Sequence, residues 1–200
     1  MKRMILLRHG QTEWNNAGRF QGTTDIDLDD VGRQQADRAA KQLALLSPDV
    51  VYSSDLRRAI DTAAPLVDLT GAPIEVDLRL RERSFGPWEG LTRSEISAEY
   101  GESFADWQAG RPFHLEGLET KQAVAERGGK ALFAVVDRLP TDGTAVLVSH
   151  GGLIRQALAA FLGWTASQAE TIAGLNNCCW ADLREGHNGW RMHGLNISAP

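Results

Sequence analysis

The chain is poor in cysteine. Its 200 residues hold only two, Cys178 and Cys179, and these are adjacent. Neighbours in sequence rarely bond to each other, so a disulfide scaffold is excluded and a reducing, cytoplasmic location is expected. No apolar run approaches the roughly 18–20 residues that a membrane-crossing helix needs, so no membrane partner is expected. The basic residues near the N-terminus lead straight into an apolar strand, with no signal-peptide cleavage pattern. Positive charge is not in excess either. The net charge of −5 gives no field that would draw nucleic acid. His114, His187 and His193 lie in polar stretches without metal-ligand spacing, and they read as surface residues. No Gly-x-Gly-x-x-Gly follows a strand. Neither a metal nor a cofactor is expected.

What the chain does have is an apolar share of 42%, enough for one sizeable core in a single domain over residues 1–200. Short apolar runs alternate with helical patterns along it. Strands are expected at Ile5–Leu7, Val50–Tyr52, Ile74–Val76 and Ala145–Val148. Helices are expected from Asp29 or Asp30 to Leu46, from an Asp55 cap to Thr70, from Thr120 to Leu139, and from Leu153 to Leu162. Gly128-Gly129 weakens the middle of the third helix. Trp180–Leu183 and Trp190–Leu195, around a Gly186–Gly189 turn, read as a terminal hairpin. The alternation predicts an α/β fold. It would be a three-layer sandwich, with a mostly parallel central sheet, helices on both faces and a small cap inserted near residues 85–119.

The strand ends carry the chemistry. The first delivers Arg8 and His9, followed by Gly10. The second leads into Ser53, Ser54, Arg57 and Arg58. The fourth delivers Ser149 and His150, followed by Gly151-Gly152. Parallel strands would bring all of these to one sheet edge, where open α/β sheets bind ligands. Two arginines and two histidines at one point repel each other unless an anion sits among them. A phosphoryl group fits, with amides at helix N-termini as further donors.

The run Leu7-Arg8-His9-Gly10-Gln11-Thr12-Glu13-Trp14-Asn15 resembles the signature of the histidine phosphatase superfamily, the phosphoglycerate mutase-like proteins. Further blocks follow in the family's order: Arg19-Phe20-Gln21-Gly22, then Ser53-Ser54-Asp55-Leu56-Arg57-Arg58-Ala59, then Leu80-Arg81-Glu82 with Trp88-Glu89-Gly90, then Val148-Ser149-His150-Gly151-Gly152. One such triplet would be weak; the ordered set is specific. The resemblance implies that His9 takes the phosphoryl group as phosphohistidine. Arg8, Arg58 and His150 would hold its oxygens, and Asn15 would donate a further hydrogen bond. Glu82, preferred over Glu89, would protonate the leaving oxygen and then deprotonate the attacking water. His9 must present an unprotonated nitrogen, so its other nitrogen should donate to a backbone carbonyl such as that of Gly10. Fixed guanidinium groups can stabilise a loose phosphoryl transition state without metal.

The short stretch from Glu82 to His150 and the Phe-Gly-Pro-Trp-Glu-Gly block resemble the phosphatase branch rather than the mutases, and within it the phosphatases of phosphoglycerate esters. The implied activity is hydrolysis of a small phosphorylated metabolite, a phosphoglycerate or sugar-phosphate ester. The alternatives are a cofactor-dependent phosphoglycerate mutase and a non-catalytic phosphate-binding module. Gln21, Gly22, Thr23, Arg83 and Gly151 are further candidates for substrate binding. The family contains dimers as well as monomers, so a homodimer is an open reading, with the hairpin tryptophans as core or contact surface.

Overall fold

The first strand, β1 (Arg3–Arg8), shows why the chain folds into layers. Successive side chains on a strand point to opposite faces. Met4 and Leu6 enter one hydrophobic cluster, and Ile5 and Leu7 enter another. The fourth strand repeats the split, with Ala145 and Leu147 on the first side and Val146 and Val148 on the second. Both runs are apolar on both faces, so both must lie between two layers of helices.

The computed structural model describes residues 1–200, except for the side chain of Ala166. In chain order, β1 is followed by α1 (Glu13–Asn16), α2 (Asp30–Ala44), β2 (Val50–Ser53), α3 (Arg57–Thr70) and β3 (Ile74–Val76). Two single 3₁₀ turns precede α4 (Arg93–Glu99) and α5 (Gly101–Ala109). Then come α6 (Lys121–Arg138), β4 (Thr144–Ser149), α7 (Gly151–Leu162), α8 (Ala166–Glu170), β5 (Trp180–Gly186) and β6 (Gly189–Ile197). The sheet order is β3-β2-β4-β1-β5-β6. The first four strands in that order are parallel, and the terminal hairpin adds two antiparallel strands at the β1 side. The three-layer α/β expectation holds. No helix of the described residues is long and apolar enough to cross a membrane.

Three local expectations give way to tertiary contacts. Gly128-Gly129 does not interrupt α6. A Cβ at Gly128 would lie 2.8 Å from Ala157 Cβ and one at Gly129 would lie 3.0 Å from Ala160 Cβ, so the pair lets α7 pack closely. Asp55 does not cap α3, because Arg81 draws its carboxylate away. Asp25 does so from 32 residues upstream, accepting the Arg57 N–H at 2.8 Å. Residues 77–119, whose sequence marks only a short helix near Arg93–Tyr100, hold a second one, α5. They pack around an aromatic cluster of their own, with Trp88, Ile96 and Phe104 buried and Phe20, Phe85, Tyr100, Trp107 and Phe113 around them.

Both hairpin tryptophans turn inward. Trp180 lies in the core beneath α2 and α3, and Trp190 packs against Phe161 of α7 at 5.4 Å between ring centroids.

Candidate active site

Parallel pairing sets the site. Arg8 stands opposite Ser149 in the register, and Ser53 opposite Val148. The ladder continues one residue further on both sides: His9 N–H donates to Ser149 O (2.9 Å) and Ser54 N–H to Val148 O (3.0 Å). His9 and His150 are thereby delivered to one point by backbone bonds. Their ring centroids are 5.1 Å apart, and both rings are buried.

The two rings are held in complementary ways. His9 Nδ1 lies 2.7 Å from Gly10 O. A carbonyl can only accept, so Nδ1 carries the proton and Nε2 is left with its lone pair. His150 Nδ1 accepts from Arg58 Nε (3.3 Å), so its proton is on Nε2, which meets Ser54 Oγ at 3.0 Å. Burial holds both histidines well below their ordinary value, and the neighbouring Arg58 adds to the effect. Both rings are therefore neutral across the physiological range.

The cations are equally constrained. Arg58, at the start of α3, is fully buried and donates through its other two nitrogens to Thr24 O and Gly22 O, each at 2.7 Å. A guanidinium has five N–H donors, and these contacts use three. Burial pulls its value down to about 10. Arg8 donates through Nη1 to Leu175 O, while its Nε is buried without a hydrogen-bond partner among the described residues. Burial lowers Arg8 as well. Buried donors are nearly always paired, so an orphaned donor and two destabilised cations mark a site that an anion would relieve.

Glu82 sits at the N-terminus of α7. Gly152 N–H donates to its Oε2 (2.9 Å), and Leu153 N–H (3.0 Å) and Arg83 N–H (2.7 Å) donate to Oε1. Three amides at and near the helix N-terminus thus fix the position of its carboxyl group. The approach requires glycine: a Cβ on residue 152 would fall 2.5 Å from Glu82 Oε1. Glu89, the rival carboxylate, is engaged elsewhere. It accepts the amides of Thr23, Thr24 and Phe85 and the hydroxyl of Thr24. Burial works against its charge, but these bonds win and hold it below the usual carboxylate range. It ties the 20–25 loop to the cap.

Arg8, His9, Asn15, Gln21, Gly22, Arg58 and Glu82 line one cavity of about 330 Å³. Asn15 caps α1 together with Thr12, and its Oδ1 accepts from Thr12 N–H, leaving its amide nitrogen for the cavity. Arg83 and Gly151 line an adjoining outer cavity instead. Arg83 donates to Glu119 O (2.6 Å) and lies over the Phe85 ring. Thr23 faces neither, because its amide and hydroxyl are bonded to Glu89. Arg57 is exposed and pairs with Asp27.

Two residues that the motifs do not mark complete the frame. Asn177 Nδ2 donates both to His9 O (3.0 Å) and to Asn15 Oδ1 (3.1 Å). Arg127, from α6, donates to the carbonyls of Arg79, Arg81 and Glu82, and so fixes the segment that carries Glu82.

The family model for the "Histidine phosphatase superfamily (branch 1)" matches residues 4–198. The chain belongs to the histidine phosphatase superfamily. It is 38% identical to a protein of Mycolicibacterium vanbaalenii named glucosyl-3-phosphoglycerate phosphatase, over 100% of this chain and 96% of that one. A solved mycobacterial glucosyl-3-phosphoglycerate phosphatase, in complex with VO3, superposes with a TM-score of 0.90 at 38% identity, covering 99% of this chain and 100% of that one. A 2,3-bisphosphoglycerate-dependent phosphoglycerate mutase of Arthrobacter is 42% identical, but over only 53% of this chain and 45% of its own. The full-length likeness is to superfamily members named as phosphatases, in line with the expected class of phosphoric monoester hydrolase.

Proposed function

We propose that the protein hydrolyses a small phosphomonoester in two displacements through His9. His9 Nε2 attacks phosphorus, the ester P–O bond breaks, and Glu82 gives its proton to the leaving oxygen. Water then attacks the phosphohistidine, Glu82 takes a proton from it, and phosphate leaves as the N–P bond breaks. Splitting the transfer makes each step easier. Arg8, Arg58 and Asn15 present donors to the equatorial oxygens, while His150 holds the Arg58 fork in place and stays neutral beside the nucleophile. Preorganised donors in a buried cavity supply the charge stabilisation that a loose phosphoryl transition state needs.

The observation that carries this reading is the His9 Nδ1 bond to Gly10 O, which leaves the lone pair on the ring nitrogen among two arginines and a carboxylate. A non-catalytic module would have no use for that tautomer or for a carboxylate at the same cavity. The mutase reading finds less support, since the likeness to a mutase covers only about half of the chain. The names of the full-length relatives support an ester of phosphoglycerate as substrate, with glucosyl-3-phosphoglycerate the first to try. The free thiols of Cys178 and Cys179 suit a reducing compartment.

The test is a panel of phosphorylated metabolites ranked by kcat/KM, with 3-phosphoglycerate followed by NMR. Release of inorganic phosphate is the expected result. Clean conversion to 2-phosphoglycerate that depends on 2,3-bisphosphoglycerate would overturn it in favour of a mutase.

A further inference from the structure

The inner cavity accounts for the phosphoryl group and leaves the rest of the substrate unassigned. It adjoins the outer cavity of about 560 Å³, the two sharing Arg8, Glu82, Phe85 and Arg93 as a common wall. A leaving group attached to a phosphoryl at His9 can extend past that wall into the outer cavity. On the outer wall stand Lys121, at the start of α6, and Arg155, on α7. Both face one carboxylate. Lys121 Nζ is 2.6 Å from Glu170 Oε1, and Arg155 Nη1 is 4.0 Å from Glu170 Oε2.

We propose that Lys121 and Arg155 form a subsite for a carboxylate on the substrate's leaving group, and that Glu170 occupies it as an internal stand-in. This rests on the phosphomonoesterase reading above and extends it to the leaving group. Each cation addresses a different oxygen of the Glu170 carboxylate, so the space between them is already shaped for a carboxylate. Glu170 is about half exposed at the cavity mouth. A half-exposed ion pair contributes at most about 1 kcal/mol, so its exchange is easy. A carboxylate tethered to a bound phosphoryl arrives at high effective concentration and displaces it. Arg83 and Arg93 border the same cavity and raise its positive potential. Burial lowers Arg83, while Glu82, Glu119 and, least of the three, Glu170 favour its charged form.

3-Phosphoglycerate and glycerol 3-phosphate test the idea, because they differ only in a carboxylate against a hydroxymethyl group. The readout is the ratio of their kcat/KM values. It is expected to fall roughly tenfold, through KM, in Lys121→Gln and in Arg155→Gln, as for loss of one charge-assisted hydrogen bond. It should rise roughly threefold in Glu170→Gln, where the competing charge is gone. A ratio that stays within about twofold of the wild type in both cation variants overturns the subsite. So does a preference for glycerol 1,3-bisphosphate over 3-phosphoglycerate, which would make the recognised anion a phosphate. If the wild-type protein hydrolyses neither ester, the phosphomonoesterase reading stands or falls on the wider panel. Calorimetric titration of 3-phosphoglycerate into His9→Ala protein, with and without Lys121→Gln, then decides the subsite: a tenfold weaker affinity sustains it and an equal affinity removes it.

Discussion

The floor of the site and the cap above it are held by different forces. The floor is built from strand ends, and almost every functional atom in it is fixed by a backbone partner: His9 by Gly10 O, Arg58 by Thr24 O and Gly22 O, Glu82 by three amides. The cap is built from ring packing. Trp88 meets Tyr100, Phe104, Trp107 and Phe113 at centroid distances of 5.6–6.4 Å, and Phe20 reaches up from the floor into the same cluster. Backbone bonds fix atoms within tenths of an ångström, as a nucleophile requires. Aromatic clusters fix a surface but tolerate changes at its rim. Under the proposed mechanism, phosphoryl chemistry belongs to the floor, and selection of the leaving group to the cap and the outer cavity.

The sharpest way to break this comparison is His9→Ala. Loss of the nucleophile is expected to lower kcat for every phosphomonoester by at least about 10⁴-fold, as for other covalent catalysts. Acid-labile labelling of the protein by a radioactive phosphoester should vanish with it. Equal turnover by the variant and the wild type would place the chemistry elsewhere. Glu82→Gln comes next, at about 10²–10⁴-fold in kcat for an alkyl phosphate. A p-nitrophenyl ester leaves without a proton, so its first step should lose far less. An equal loss in the first step on both esters, read as kcat/KM, would instead make Glu82 a structural residue.

In the cap the expected damage is to stability. Trp88 is fully buried, and truncating it to alanine should cost about 3–5 kcal/mol. Its indole N–H has no partner among the described residues, so Trp88→Phe should cost clearly less. Urea unfolding reads both. If the comparison is right, Trp88→Phe protein keeps its kcat on p-nitrophenyl phosphate, and any change appears in KM for larger substrates.

How much of this could be read from residues alone follows the same divide. β1 and β4 were legible because four apolar residues in a row, closed by polar ones, admit few other readings. His9, Arg58, Glu82 and His150 were legible because strand ends and motif order agree, and their gathering in one cavity or contact network follows from parallel pairing. The cap was not legible in detail. α5 begins at Gly101 with no side-chain cap, so nothing local announces it. α8 does carry a signal, the capping box of Thr165 and Gln168, which marks its start. The cap of α3 was misplaced because Asp55 has the right residue type next to the helix, yet its stronger partner, Arg81, lies 26 residues away. Arg127 and Asn177 gave no sign at all. Each acts across 45 or more residues on backbone or amide atoms, and spacing along the chain carries no trace of such contacts.

Acid sharpens the comparison from the side of stability. His9 and His150 belong to the floor, and burial, aided by Arg58, holds both well below 6.5. Between that depressed value and 6.5 the unfolded chain binds more protons than the native one, so stability falls as the pH drops below about 6.5. The slope reaches at most about 1.4 kcal/mol per pH unit for each histidine. Urea midpoints at pH 7.5, 6.0 and 5.0 should show the decline, and His150→Gln should make it shallower. An unchanged slope in that variant would mean that other groups set the acid response.

The smallest expected effect concerns what keeps the floor rigid. Asn177 belongs to neither the motif blocks nor the cap; it lies in the segment between α8 and β5. Its amide joins His9 O to Asn15 Oδ1, and the next residue donates its N–H to Arg8 O. Removing the amide leaves the His9 ring on Gly10 O and Asn15 on Thr12, so the variant should fold and retain its nucleophile. What it loses is the link that turns the Asn15 amide nitrogen toward the phosphoryl group. Asn177→Ala should therefore lower kcat about five- to tenfold, as for one misaligned hydrogen bond to a charged group, with little change in KM. Asn177→Asp is the control: it keeps the size but replaces the donor with an acceptor facing His9 O and Asn15 Oδ1, and should be worse than alanine. If alanine and aspartate behave alike, the segment acts through packing alone, and the floor owes its geometry to the strand ends without help from the C-terminal part of the chain.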